Sequence, residues 1–265
     1  MRNLLQSFFY NKQVSKLDVD SKELTKKHSE IIKEKKLLRS AYDTFYKEMS
    51  NSCDTNFSGL GLEIELGSGV GYFKSIRNQI ITSDIRDGFT YDMELDATNM
   101  TLKNDTVKCF FAINVFHHLS KPTKFFDELI RVLKKDGGCI LIEPHNGLIS
   151  RFIAKNVHKE EYFDVNEVNW DKQVTSGVLS NANQALSHNI FERDKEKFNK
   201  MYGKNLQIIE KKYILNGIRY ILSGGLNFKQ LFPSYLIFIL ILFEKIFSPI
   251  SKHWAPFRMI VIKKI

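Results

Sequence analysis

Cysteine is scarce in this chain: three in 265 residues, Cys53, Cys109 and Cys139, widely spaced and odd in number. No C-x-x-C pair occurs, so neither a disulfide framework nor a thiolate zinc site is expected, and a reducing compartment fits. No two histidines stand at i, i+4 beside a carboxylate, and the adjacent His117 and His118 are expected to point apart, so no metal ligand is assigned. The opening stretch through Tyr10 is too short and too interrupted for a secretory apolar region. No uninterrupted run of about 20 apolar residues crosses a bilayer's thickness, and no internal repeat is visible. The expected place is the cytoplasm, with the inner face of the membrane as the alternative.

What is present is a core-forming, unevenly charged chain. Hydrophobic residues make up 43%, with 21 Phe and 10 Tyr, which speaks against disorder. The net charge of +9 divides into +4 over residues 1–50, −3 over 51–150 and +8 over 151–265. A mildly acidic centre is thus flanked by basic segments. Such flanks suit anionic lipid, a phosphorylated substrate or nucleic acid, or are simply a solvated lysine-rich surface.

The richest local pattern is Glu65-Leu66-Gly67-Ser68-Gly69-Val70-Gly71, directly after a strand-like run from Leu60. Alternate glycines between a strand and a helix let backbone turn tightly against a nucleotide-like ligand. The spacing G-x-G-x-G differs from the dinucleotide form G-x-G-x-x-G. From Leu60 to Pro144 strand and helix signals alternate, as a parallel sheet with crossover helices requires. Strands are predicted at 60–66, 80–83, 106–113 and 139–143, and helices at 72–78 and 122–133. Residues 134–138, with two lysines and two glycines, end the second helix. A charged helix is predicted at 190–202, and strands at 206–215 and 257–264 close the sheet in antiparallel fashion. Residues 1–50 read as a helical extension bounded by the polar, turn-like 51–56; the remainder, 51–265, reads as one domain with insertions at 146–188 and 216–256.

Several residues can carry chemistry. Asp84, after the second strand, can accept both hydroxyls of a ribose, and Asp96 beside the small Ala97 can take an adenine amino group. Each alone is more often a surface or capping aspartate; their order behind the glycine loop reverses that weighting. Asn114 ends the third strand, at the edge where open α/β sheets bind ligands. His117, His118 and His145 are candidate bases for taking a proton from a hydroxyl, against the alternative of buried, structural histidines. His158 and His188 lie in the irregular region beyond.

The series Glu65 to Gly71, Asp84, Asp96-Ala97, Asn114 to Leu119 and Arg131 to Gly138 resembles class I S-adenosylmethionine (SAM)-dependent methyltransferases over about residues 58–145. The resemblance implies a Rossmann-like, seven-stranded, mostly parallel sheet with helices on both faces, and SAM as cofactor. It implies that Glu65, Gly67, Gly69 and Gly71 form the loop on the methionine side, that Asp84 binds ribose and Asp96 and Ala97 adenine, and that Asn114 lies near the methyl group. Asp136 stands where the family usually has proline. Through Glu143-Pro144-His145, Ser150-Arg151-Phe152, Ile190 to Asp194, Arg219 to Gly225 and Ser248-Pro249, the C-terminal half is similar to methyltransferases associated with bacterial surface-polysaccharide biosynthesis, which implies O-methylation of a sugar or lipid-linked saccharide. The alternatives are a C-methyltransferase of a quinone or other small molecule, and a non-catalytic SAM-fold binding protein. Nucleic acid is not the expected partner, since no Asn/Asp-Pro-Pro-aromatic tetrapeptide is present.

Residues 235–243 carry no charge and are apolar on every side. A helix of that kind is buried in protein, against a partner, or in lipid, and 231–247 is a candidate for peripheral membrane contact.

Overall fold

A computed structural model describes residues 9–17, 21–86, 91–156, 161–172 and 182–265. The opening residues 1–8 and His158 fall outside them. Seven strands form one sheet: β1 (Leu62–Leu66), β2 (Ile81–Asp84), β3 (Met93–Glu94), β4 (Val107–Ile113), β5 (Leu133–Pro144), β6 (Leu206–Ile214) and β7 (Phe257–Lys264). Their spatial order is β3-β2-β1-β4-β5-β7-β6. The first five run parallel, and β7 inserts antiparallel between β5 and β6. This is the expected Rossmann-like, mostly parallel sheet. The strand order reverses at β1 and β4, so the carboxyl ends of those strands open on a ligand crevice.

Eight helices pack around the sheet in the described residues: α1 (Lys22–Glu34), α2 (Lys36–Asn56), α3 (Pro122–Val132), α4 (Leu148–Asn156), α5 (Lys195–Tyr202), α6 (Gly217–Leu222), α7 (Ile237–Ile246) and α8 (Ser251–Trp254), with a further single turn at Leu186–His188. The stripe predicted for α3 is the one that is buried. Phe125, Phe126, Leu129 and Val132 are sealed against β1, β4 and β5 residues such as Ile64, Phe110 and Leu141. Burying one such side chain stabilises by about 1.5–3 kcal/mol. On the opposite face α2 sets Phe45, Tyr46, Met49 and Cys53 against Phe111, Ile140 and Val261.

Four local expectations are corrected. The polar stretch 51–56 is not a turn; it completes α2, because Ser52 and Cys53 face the core and Asn56 Nδ2 donates back to the Ser52 carbonyl. The helix expected at 72–78 is a single 3-10 turn, Tyr72–Ser75, where the Ser75 hydroxyl donates to the Tyr72 carbonyl and Ile80 is already needed for the sheet. The helix expected over 190–202 is a π turn at Asn189–Arg193 followed by α5. After α3 the left-handed residue is Asp136, with φ +62°, not a glycine, and the chain is already in β5. A bulge between Val107 and Cys109 lets that early part of β5 stay paired to β4.

Candidate active site

β1 delivers Glu65 to the crevice, and burial leaves its side chain almost no solvent. Tyr46, from α2, donates its hydroxyl to Glu65 Oε1 at 2.7 Å. Glu65 Oε2 is buried without a hydrogen-bond partner. Burial pushes the Glu65 carboxyl up to about 7, with the Asp84 charge adding to it, while the bond from Tyr46 and the nearby Ser68 hydroxyl hold it down.

The loop that follows is shaped by left-handed backbone. Gly67, Gly69 and Gly71 have φ of +60°, +53° and +66°. A methyl group on Gly67 would lie 2.6 Å from Val115 Cγ2, so this glycine is required by close approach to the end of β4. On Gly69 the same methyl would meet nothing within 4 Å. Space therefore remains open above the middle of the loop, where a ligand can approach backbone. Ser68 pins the loop to β2: its N–H donates to the Ser83 carbonyl at 2.8 Å, and its Oγ accepts from the Ser83 N–H at 3.0 Å.

Asp84 ends β2 and reaches back to the loop, accepting from the Gly69 N–H at 3.3 Å. Both its oxygens are also held by Arg86, from Nε at 3.0 Å and Nη2 at 2.8 Å. Asp96 caps its own turn, accepting from the Thr98 N–H and hydroxyl at 2.7 and 2.8 Å. Ala97 beside it is buried. Asn114 sits in the left-handed region at φ +56°, its N–H donating to the Ile142 carbonyl, and its Oδ1 is buried without a partner.

His117 and His118 follow in a 3-10 turn, Phe116–His118. The expectation that adjacent rings diverge is corrected: the rings lie side by side with centroids 4.3 Å apart, and both Nε2 atoms turn toward Glu161. His117 Nδ1 donates to Glu143 Oε2 at 2.6 Å, and Glu143 Oε1 accepts from the Val115 and Phe116 N–H groups. Glu143 thereby fixes both the turn and the imidazole tautomer, leaving Nε2 as the proton acceptor. Burial draws the His117 pKa down, but the charge and bond of Glu143 and the charge of Glu161 outweigh it, and the result is raised. Glu161 lies 3.9 Å from His117 Nε2 and 3.7 Å from His118 Nε2. These three groups could bridge a cation, although neighbouring donors around an ion with bonds near 2.1 Å sit roughly 3.0–3.4 Å apart.

His145 stands apart from this cluster. Its Nε2 donates to the Lys252 carbonyl at 2.9 Å, its ring packs on Tyr213, and burial lowers its pKa. His188 accepts from Asn146, and burial drops its pKa to about 4. The crevice therefore gathers Glu65, the three glycines, Asp84, Asn114, His117 and His118 around the ends of β1, β2 and β4, whereas His145 serves as a tie to the segment before β7. Sequence reasoning missed Tyr46, Arg86, Glu143 and Glu161. Only Glu143 left a trace, as the acid of the strand-end Glu143-Pro144-His145.

What can occupy such a crevice follows from its donors and acceptors. Glu65 Oε2 and Asn114 Oδ1 are buried acceptors that lack donors, and the space above Gly69 is open. The methionyl ammonium of SAM brings three donors and a positive charge, so these residues fit it.

Residues 64–141 match the family described as a methyltransferase domain. No curated protein matches the chain. Among solved structures it is similar to a SAM-dependent methyltransferase of Thermotoga maritima titled a possible histamine N-methyltransferase, at 12% identity, covering 91% of this chain and 99% of that one, TM-score 0.47. It is also similar to the geranyl diphosphate C-methyltransferase of Streptomyces coelicolor, at 12% identity, covering 94% and 86%, TM-score 0.44. A third, a SAM-dependent methyltransferase of Archaeoglobus fulgidus, is 12% identical over 84% and 94%, TM-score 0.43. The family match and the strand order together define the class: a class I methyltransferase fold. The match covers under a third of the chain; it places a methyltransferase domain at residues 64–141 and supports an enzyme with SAM as its cofactor.

Proposed function

We propose that this methyltransferase acts on a hydroxyl oxygen of a sugar or lipid-linked saccharide, in the making of a cell-surface polysaccharide. The observation that carries oxygen as the target is the His117–Glu143 pair, whose 2.6 Å bond leaves a base-ready Nε2 two residues beyond Val115, the neighbour of Gly67. A hydroxyl must lose its proton to become a competent nucleophile, and a histidine with a raised pKa can take it. SAM supplies a methyl group already activated on a sulfonium, which departs as a neutral thioether. As the oxygen–methyl bond forms, the hydroxyl proton passes to His117 Nε2, and Glu143 stabilises the imidazolium. His118 and Glu161 offer the next station for that proton.

In this reading Glu65, Gly67, Gly69, Gly71 and Asn114 hold the methionyl part of the cofactor. Asp84 takes the ribose hydroxyls, steadied by Arg86, and Asp96 and Ala97 take the adenine. The insertions at 146–188 and 216–256 belong to the acceptor side, which Glu161 beside the histidines supports, while the helical extension closes on the cofactor loop through Tyr46 and Glu65. The test is transfer of labelled methyl from SAM into bacterial envelope extracts, split into lipid and water-soluble fractions. Label retained on an O-methyl sugar after glycan hydrolysis is expected. Label in neither fraction despite measurable SAM binding, or label fixed on ring carbon of a quinone, overturns the proposal.

A further inference from the structure

Helix α7 is built inside out. Its one carboxylate, Glu244, is only 4% exposed and is gripped on both oxygens by Arg219 Nε at 3.0 Å. Arg219, from α6, also donates to the Ser40 and Thr44 hydroxyls of α2, so the ion pair bolts α7 to the body of the protein. Leu240, one turn earlier, is the other buried residue of the helix. The apolar side chains point the other way: Tyr235, Phe238, Leu242 and Ile246 are 79%, 65%, 57% and 61% exposed. A helix that buries its acid and exposes its aliphatic and aromatic side chains is arranged for an apolar solvent.

The surface continues around a bend. The segments 234–246 and 248–254 together have the length and apolar composition of a span but meet at 60°, and no single helix among the described residues is long and apolar enough to cross a membrane. Trp254 closes the bend, its indole N–H donating to the Phe247 carbonyl at 2.9 Å. Helix α4, which packs on α8, adds Leu148 and Phe152, both strongly exposed. Within α4, α7 and α8 the exposed charges are of one sign: Arg151, Lys155, Lys245 and Lys252. Residues 216–265 contain seven basic residues and a single acid, the buried Glu244.

We infer that α7, the bend and α4 form a wedge that seats the protein on an anionic lipid bilayer without spanning it. Charge decides between bilayer and second copy: a two-fold contact through these helices would set lysines against lysines with no exposed acid on them in answer. Anionic headgroups answer them while acyl chains receive the apolar side chains. His145, at the end of β5, bonds to Lys252 of α8, so the wedge is tied to the same end of the sheet as the crevice. Resting on the function proposed above, the acceptor would then be a lipid-anchored molecule that meets the site from the membrane surface.

The test is vesicle flotation of the full-length protein, with vesicles of phosphatidylcholine alone and with 30% phosphatidylglycerol added, run beside the thermal shift caused by S-adenosylhomocysteine. The wild type is expected to float with the anionic vesicles and to be released by high salt. Phe238→Ser with Leu242→Ser, both surface changes, should lower partitioning about tenfold or more. Lys245→Gln and Lys252→Gln should each lower it about fivefold. The ligand-induced shift should be unchanged in all of them. Wild type that stays with the free protein, a serine variant that floats like wild type, or a lipid-free dimer cross-linked through position 242 would overturn the inference. Absence of the ligand-induced shift in a wild type that floats would instead sink the methyltransferase assignment and leave the wedge standing.

Discussion

Glu65→Gln separates the two parts this carboxylate plays, because Gln keeps the shape and the acceptor for Tyr46 but cannot ionise. The carboxyl rises from 4.5 to about 7 in the folded protein. A carboxyl raised on folding binds its proton more tightly in the native state, so its contribution is fully present below pH 4.5 and is lost as pH climbs through 7. Between pH 5 and 8 this costs the ligand-free wild type about 2.5 kcal/mol, the larger part of the roughly 3.5 kcal/mol that a rise from 4.5 to about 7 carries. Glu65→Gln should therefore match the wild type near pH 5 and melt roughly 5–10 °C above it at pH 8. Ligand reverses the ranking. The cationic amino group of S-adenosylhomocysteine needs the ionised carboxylate, and a charge-assisted hydrogen bond is worth roughly 1.5–3 kcal/mol. Ligand affinity of the wild type should fall as pH drops below 7, and Glu65→Gln should bind about 10- to 100-fold more weakly at pH 8. Differential scanning fluorimetry at pH 5 and 8, with and without ligand, reads all four states. A variant with the same pH slope as wild type, or with the same ligand-induced gain, refutes the reasoning.

Other substitutions probe the remaining parts. Gly67→Ala, which drives a methyl to 2.6 Å from Val115 at positive φ, should cost about 2–5 kcal/mol of stability by urea titration. Gly69→Ala should cost only about 1–2 kcal/mol yet erase the ligand-induced thermal shift; a retained shift would place the ligand elsewhere. Glu143→Gln presents an amide N–H to His117 Nδ1, moving the imidazole proton to Nε2, and kcat should fall at least about 100-fold with SAM affinity preserved. Its residual activity should lose the acid limb set by the raised His117 pKa, and an unshifted profile would rule His117 out as the base. Arg219→Met strands Glu244 in the core and should cost about 3–5 kcal/mol, measured by chemical denaturation; a cost under 1 kcal/mol would mean α7 is held by other contacts.

Local pattern was enough to read much of the scaffold. The apolar stripe of α3, with Pro122 in its first turn, and β7 at Phe257–Lys264 stand as read, because both periodicities are written in consecutive residues. Where the reading slipped, tertiary packing overrode local preference. Asn51–Asn56 is polar enough for a turn, yet Cys53 had a place in the core and kept α2 helical. The side-by-side placing of the His117 and His118 rings, both facing Glu161, has no sequence period of its own.

By itself the sequence determined the glycine loop, the acids at the ends of β1 and β2 and the alternation of strands and helices, since each depends on residues adjacent in the chain. Only the tertiary structure decided which groups meet across it. Tyr46 reaches Glu65 from 19 residues away, Glu143 reaches His117 from 26, and Arg219 turns the acid of α7 inward. Those contacts are set by the order of strands and the packing of helices upon them, and no spacing along the chain encodes them.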